Sequence, residues 1–415
     1  MPRMGKFPAF GKRFFRRARK LLGCAHTNHL WRAVMVVAAA HGRRSLRKVQ
    51  DTTKHHRSRQ ALAKFLTKAE WDAPEVLAQT AIDTLKQLGW TPGQTVYLAL
   101  DDTQKEKRGK QMDAVARIFL HAEKRYAFGH TILGAALIYR GVAVPCAVKL
   151  YAPKDFCQDT QDGRVPGPPV EFCKLTEMAA DMVRQLALPD GKVIVLFDAY
   201  YLCPAVTEAC RERSFRYVGV AKKNRNFWPD ARRRDRRKLS RYGANLLRRE
   251  GRQRQVGGKP HCLVHRVGQL SKLGRVKLVC SRRLRETTWI ALATNETRWS
   301  PHTVLSHYLN RWSIEVFFKM SKQYLGLGDY QMLRYRAVDR YLHLVLIAHL
   351  LLTHLTANEL GAKALQGSDS LRLPSVPQMQ QRLRERLWQD TIQNMEKGTR
   401  YRKLAKKIKD LIQLG

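Results

Sequence analysis

Five consecutive apolar residues, Val193-Ile194-Val195-Leu196-Phe197, run directly into Asp198. A strand with apolar side chains on both faces has to be covered on both, so it belongs inside a sheet flanked by other layers. Val96 to Leu100 repeats the pattern and ends at Asp101-Asp102. Thr131 to Tyr139 and Val142 to Tyr151 are β-rich and joined by Arg140-Gly141 as a tight turn. Residues 170–187 carry apolar side chains at helical spacing (Phe172, Leu175, Met178, Ala179, Met182, Leu186). A helix over 204–213 and a strand over 215–220 follow. The order β-β-β-α-β-α-β predicts an α+β fold on a mixed sheet, with acids at the tips of its first and fourth strands. Ligands of open sheets gather at such carboxyl ends.

The flanks read differently. Asp72-Ala73-Pro74-Glu75 is an N-cap with a first-turn proline and a capping carboxylate, predicting a helix to Leu88 that stops at Gly89. Residues 222–255 hold fourteen Lys or Arg against three acids, including the run Arg232-Arg233-Arg234-Asp235-Arg236-Arg237-Lys238. Alternating segments at 262–267, 276–280 and 289–294 predict antiparallel strands of an inserted β-unit. One long helix is expected over 301–324 and another over 341–360, with a Gly/Ser/Pro-containing linker at 361–377. The expected organisation is a helical N-terminal domain (1–92), a first core segment (93–221), a basic β-rich insertion (222–300), a second core segment (301–360) and a basic helical tail (361–415).

Lys plus Arg number 77 against 34 Asp plus Glu, a net charge of +43. Such self-repulsion calls for a polyanionic partner, and nucleic acid is the usual one. The first 50 residues contain thirteen Lys or Arg and no acid, with Lys12, Arg13, Arg16, Arg17, Arg19 and Lys20 interleaved with apolar residues. No secretory leader is expected. The apolar run His343 to Leu355 spans 13 residues with three histidines, short of the roughly 20 a membrane span needs; it reads as a core helix, and no membrane partner is expected. The eight cysteines include no Cys-x2-Cys pair and no zinc-ligand spacing, which suits reduced thiols in a cytoplasmic protein.

Tyr308, Arg311, Glu315 and Lys322 fall in one stripe of a continuous helix, with Lys319 one turn beyond Glu315. A tyrosine, cations and one carboxylate along a line suit a phosphate and a metal together. Singly, each acid has a commoner structural role: an Asp after a strand turns the chain, and Glu315 pairs with Lys319. Their convergence points to chemistry. Asp101 or Asp102, with Asp198 and Glu315, forms an all-oxygen set suited to Mg²⁺ or Mn²⁺. Two such ions about 3.5–4 Å apart serve in-line displacement at phosphorus.

Asp101-x-Thr103, Asp198-Ala199-Tyr200-Tyr201 and Tyr308-x2-Arg311-x3-Glu315-x6-Lys322 together resemble the three signatures of insertion-sequence DDE transposases. Phe65 to Asp72 is similar to the N-terminal region of one branch of that class. The resemblance, over roughly residues 60–355, implies an RNase H-like core interrupted by a β-rich insertion. It implies metal ligation by Asp101, Asp198 and Glu315, with Asp102 an alternative first ligand, and two Mg²⁺ or Mn²⁺ ions. It also implies DNA contacts from Tyr308, Arg311, Lys319 and Lys322. Lys222, Lys223, Arg225, Arg232, Arg233 and Arg234 are expected to track phosphates. The implied activity is cleavage at transposon ends and transfer of the 3′-hydroxyl into target DNA by a homodimer that pairs terminal inverted repeats. The alternatives are a nuclease of the same core and a non-catalytic DNA-binding descendant.

Overall fold

The computed structural model describes residues 11–42, 59–109, 111–120, 123–188, 191–230, 236–365 and 370–396. Arg232, Arg233 and Arg234 lie outside the described residues. The chain divides into two compact units: Met1–Gly89 with Gln111–Asp113 and Phe318–Gly415, and Trp90–Lys110 with Ala114–Phe317.

The second unit is built on a mixed sheet. Strand β1 (Thr95–Glu106), β2 (Ala116–Leu120), β3 (Arg125–Tyr139) and β4 (Val142–Leu150) come first. Helices α1 (Lys154–Gln161) and α2 (Leu175–Arg184) lead to β5 (Lys192–Phe197), then α3 (Pro204–Glu212) and β6 (Arg216–Val220). The Arg140-Gly141 turn has positive φ at both residues (51° and 83°), the type I′ geometry whose twist suits a hairpin. β3 lies antiparallel to β1 and β4, while β1–β5 and β5–β6 are parallel. This is an RNase H-like α+β core. The predicted helix over 170–187 is shorter than expected, beginning at Leu175.

The first strand differs from its expected length, and the reason bears on the site. β1 pairs with β5 only over Thr95–Ala99, but its antiparallel ladder with β3 continues to Glu106. One neighbour is enough to extend a polar Asp-Asp-Thr-Gln-Lys-Glu segment whose other edge pairs with no strand among the described residues. Asp101 and Asp102 are therefore inside the strand, just beyond the point where β5 ends. Ala99 pairs with Leu196, so Asp101 and Asp198 each follow the last pair of the β1–β5 ladder by two positions.

The basic insertion does not form a separate sheet. Strands β7 (Asn226–Pro229), β8 (Arg237–Lys238), β9 (Arg252–Val256), β10 (Lys259–Leu270), β11 (Gly274–Arg283) and β12 (Trp289–Thr294) continue the core sheet, because β12 pairs antiparallel with β6. Within the charged stretch a helix, α4 (Leu239–Glu250), buries Leu239, Tyr242, Gly243, Leu246 and Leu247 at helical spacing and exposes Arg241, Arg248 and Arg249. Two further helices, α5 (Pro301–Leu309) and α6 (Trp312–Met320), complete this unit, whose boundary falls at Phe317. Val304 and Leu305 of α5 pack on Ile194, Leu196, Val218, Val279 and Leu292, so core strands and insertion strands share one apolar cluster.

In place of one long helix over 301–324 the chain makes two. The Asn310 amide donates to the carbonyls of Ser306 and His307 (3.0 and 3.3 Å), while the Asn310 and Arg311 backbone N–H groups turn back to His307 and Tyr308. A side-chain amide that takes up the last carbonyls competes with helix continuation. The second helix then loosens into a π turn over Ser321–Leu325.

In the other unit, the helix Ala73–Gln87 starts where expected: the Asp72 carboxylate accepts from the Glu75 N–H at 2.8 Å, and Gly89 follows with φ of 90°. The helices Arg16–Ala39 (broken at Gly23), Arg59–Thr67 and Tyr335–Leu365 (broken at Gly361) also belong here. The stretch Tyr335–Gly361 is long and apolar enough to cross a membrane, but 78% of its apolar window is buried inside the fold, as a core helix should be.

Candidate active site

Strand pleating decides which aspartate faces which partner. Side chains alternate across the sheet. Tyr97 packs on the cluster beneath α5 and its hydroxyl lies 2.9 Å from His307 Nδ1. Asp101 shares its parity, and its Oδ2 accepts from Arg311 at 3.3 Å. Asp102 has the opposite parity. Its Oδ1 accepts from the Tyr201 hydroxyl at 2.7 Å, and Tyr201 is fully buried.

Arg311 is the hub on the α5–α6 side. Its Nε donates to the Tyr308 hydroxyl at 3.2 Å, and its two terminal nitrogens donate to Asp101 and Glu315. The three charged side chains are 14%, 18% and 29% exposed for Arg311, Asp101 and Glu315. Asp198 closes its own turn, with Oδ1 accepting from the N–H groups of Tyr200 and Tyr201 at 2.9 and 3.2 Å. Burial pushes the Asp101 carboxyl up to about 7; Arg311 opposes this, and the negative charges of Asp102, Asp198 and Glu315 add to it. Those repulsions place the other three acids within electrostatic reach of Asp101.

This donor set fits a hard divalent cation, because it offers carboxylate oxygens only. The Arg311 guanidinium bridges Asp101 and Glu315 and supplies positive charge between them. Among the described residues no group of three His, Cys, Asp or Glu stands ready to hold a metal. The acids are gathered at one end of the paired strands with a guanidinium among them.

The predicted DNA contacts divide by environment. Lys222 and Lys223 are exposed and lie over the rings of Tyr200 (5.7 Å) and Trp289 (4.5 Å). Lys222 thus borders the Asp198 turn. Arg225 donates to the carbonyls of Leu202 and Ser271, which fastens the start of the insertion to the core. Lys319 is exposed in the last turn of α6. Lys322 is in the π turn, where α-helical spacing no longer applies, and the break at Asn310 sets Tyr308 on α5 apart from Glu315 on α6, so the predicted stripe does not run along one continuous helix.

The profile of the DDE superfamily endonucleases matches residues 25–291. The chain belongs to that family. No curated protein matches it at the level that would mark a relative. Members of the family cleave DNA and generally use divalent metal ions. Asp101, Asp102 and Asp198 lie within the matched residues; Glu315 lies beyond them.

Two residues at the site go beyond the sequence expectations. Tyr201 stands in Asp-Ala-Tyr-Tyr, yet only the alternation of β1 identifies it as the partner of Asp102. Trp312 is 66% exposed beside Arg311; an aromatic next to the Arg of the signature is a signal of its own.

Proposed function

We propose that this endonuclease is a transposase that cleaves at transposon ends and joins the freed 3′-hydroxyl to target DNA. The observation that carries the reading is the convergence of Asp101, Arg311 and Glu315, with Asp198 close enough to raise the Asp101 pKa. Asp101, Asp198 and Glu315 would hold Mg²⁺ or Mn²⁺, with two ions expected. Such ions, when bound, activate the attacking oxygen and stabilise the leaving one.

The chain's own residues do the rest. Arg311 exchanges its carboxylate partners for a DNA phosphate, for which a planar guanidinium is well shaped. Tyr308, already hydrogen-bonded to Arg311, orients it. Tyr201 holds Asp102 away from the ligand set on the opposite face. Lys222, Lys223, Lys319 and Lys322 neutralise phosphates and position the duplex without reading its sequence. In the first reaction water displaces the 3′-oxygen at the transposon end; in the second that 3′-hydroxyl displaces a 3′-oxygen in the target strand. The helical segment 1–92 contributes DNA binding, 93–221 and 301–360 form the catalytic core, 222–300 is the basic insertion, and 361–415 is a linker and tail. The working form is a cytoplasmic homodimer holding two terminal repeats.

The test is strand transfer. A transposon-end duplex that still carries its flanking DNA is incubated with the protein, Mg²⁺ and a supercoiled target plasmid. Covalent joining supports the reading; hydrolysis of ends with no joined product would make the protein a nuclease of the same core instead.

A further inference from the structure

The helical unit contains a cavity of about 690 Å³ that the catalytic reading does not use. Arg13, Arg16 and Lys20 from the N-terminal helical region line it on one side, Lys86 from helix Ala73–Gln87 on another, and His354 from helix Tyr335–Leu365 completes it. Arg17 is already occupied: it pairs with Asp83 at 2.9 Å and donates to Gln79. The side chains of Arg13, Arg16, Lys20 and Lys86 hold no hydrogen bond or ion pair among the described residues.

His354 is the second, independent sign of a ligand. It is 5% exposed, and neither ring nitrogen has a hydrogen-bond partner among the described residues. Buried polar groups are nearly always hydrogen-bonded, because an unmet one costs its full desolvation. Burial and the neighbouring Arg13 charge push this imidazole down to about 4. It is therefore neutral at physiological pH, with one donor and one acceptor to offer. Phe14 packs edge-on against it at 5.3 Å.

We propose that this cavity binds a phosphate ester, with Arg13, Arg16 and Lys20 neutralising the phosphoryl group and His354 hydrogen-bonding to the ligand. Cations outnumber the two lining carboxylates, Glu75 and Asp83, so an anion is favoured. The volume lies within the roughly 300–1,000 Å³ of small-molecule sites, larger than phosphate alone requires and suited to a nucleotide unit. That unit can come from a DNA strand or from a free nucleoside monophosphate. Binding here needs neither metal nor cleavage, so it stands or falls separately from the catalytic reading.

The test uses the full chain labelled with ¹³C in its histidine rings, the His354 signal being assigned by its loss in His354→Gln. Deoxyadenosine 5′-monophosphate, a short 5′-phosphorylated oligonucleotide and its 5′-hydroxyl twin are titrated in turn. A saturable shift of the His354 signal is expected, weakened at least tenfold in the double variant Arg16→Ala/Lys20→Ala, whose residues are exposed and outside the core. A shift with the mononucleotide assigns the site to free nucleotide; a shift with an oligonucleotide alone assigns it to a DNA strand. No shift with any of the three, or a shift undiminished in the double variant, overturns the proposal.

Discussion

Replacing Asp101 with Asn should make the metal-free protein more stable at alkaline pH while removing a metal ligand. In the folded chain the Asp101 carboxyl is raised from 3.8 to about 7, first by burial and then by its acidic neighbours. A shift of about three units corresponds to about 4 kcal/mol, at 1.36 kcal/mol per unit. The sign follows from proton uptake. Between about pH 4 and 7 the folded state keeps a proton that the unfolded state has lost, so stability falls as pH rises through that window. Asn resembles the neutral acid and removes this penalty, though it also weakens the contact with Arg311, so about 4 kcal/mol is an upper bound. Thermal melts in EDTA from pH 5 to 8 measure the effect. The variant should already melt somewhat higher at pH 5, where about 1.6 kcal/mol of the penalty has accrued, and the gap should widen toward pH 8, to at most about 8–16 °C for a unit of this size. A variant that melts lower at pH 8, or a difference that does not change with pH, would refute the reasoning.

Three further outcomes are expected. Tyr201→Phe removes the 2.7 Å hydrogen bond to Asp102 and should cost about 1.5–3 kcal/mol in urea denaturation, the range for a bond to a charged group; no loss would mean that Asp102 is satisfied by other means. Gly219→Ala drives a methyl carbon into the ring of Phe197, the residue before Asp198, so stability should fall by about 1–3 kcal/mol and cleavage should slow with it. Cleavage that stays fast would show that β5 can shift without moving Asp198. Exposed Arg241 and Arg249 line a basic cavity of the insertion. Neutralising both should lower the slope of log affinity for duplex DNA against log salt by about 0.9 for each phosphate that is no longer neutralised, and an unchanged slope would remove this surface from the DNA path.

Much of the fold can be read from periodicity. The doubly buried strand over 193–197, the Arg140-Gly141 hairpin and the Asp72 cap are local patterns with local causes, and the structure has them. Where expectation and structure part, nonlocal pairing decides. β1 runs on through its acids because β3 accompanies it, and no property of Asp-Asp-Thr-Gln-Lys-Glu announces that neighbour. The insertion strands are legible one by one, but their attachment to β6 depends on an edge that the sequence does not mark. Helix α4 is hidden by its charge, since five buried positions among many arginines scarcely register in composition. The break at Asn310 has a local cause: an amide able to take the last carbonyls of a helix.

The site is legible as a set of residue types, and its wiring is not. Sequence alone leaves Asp101 and Asp102 as alternatives. Pleat parity separates them, because it needs one fixed point on the strand, and Tyr97 against His307 provides it. The bridging position of Arg311 between two carboxylates also depends on the turn at 310–311, which a single continuous helix would not contain.

The most direct measurement of the central claim is single-strand cleavage of a labelled transposon-end duplex by Glu315→Gln in Mg²⁺, with binding of the same duplex measured in parallel. Loss of cleavage with nearly unchanged binding is the predicted result. Cleavage at the wild-type rate would contradict the assignment of Glu315 to the catalytic site.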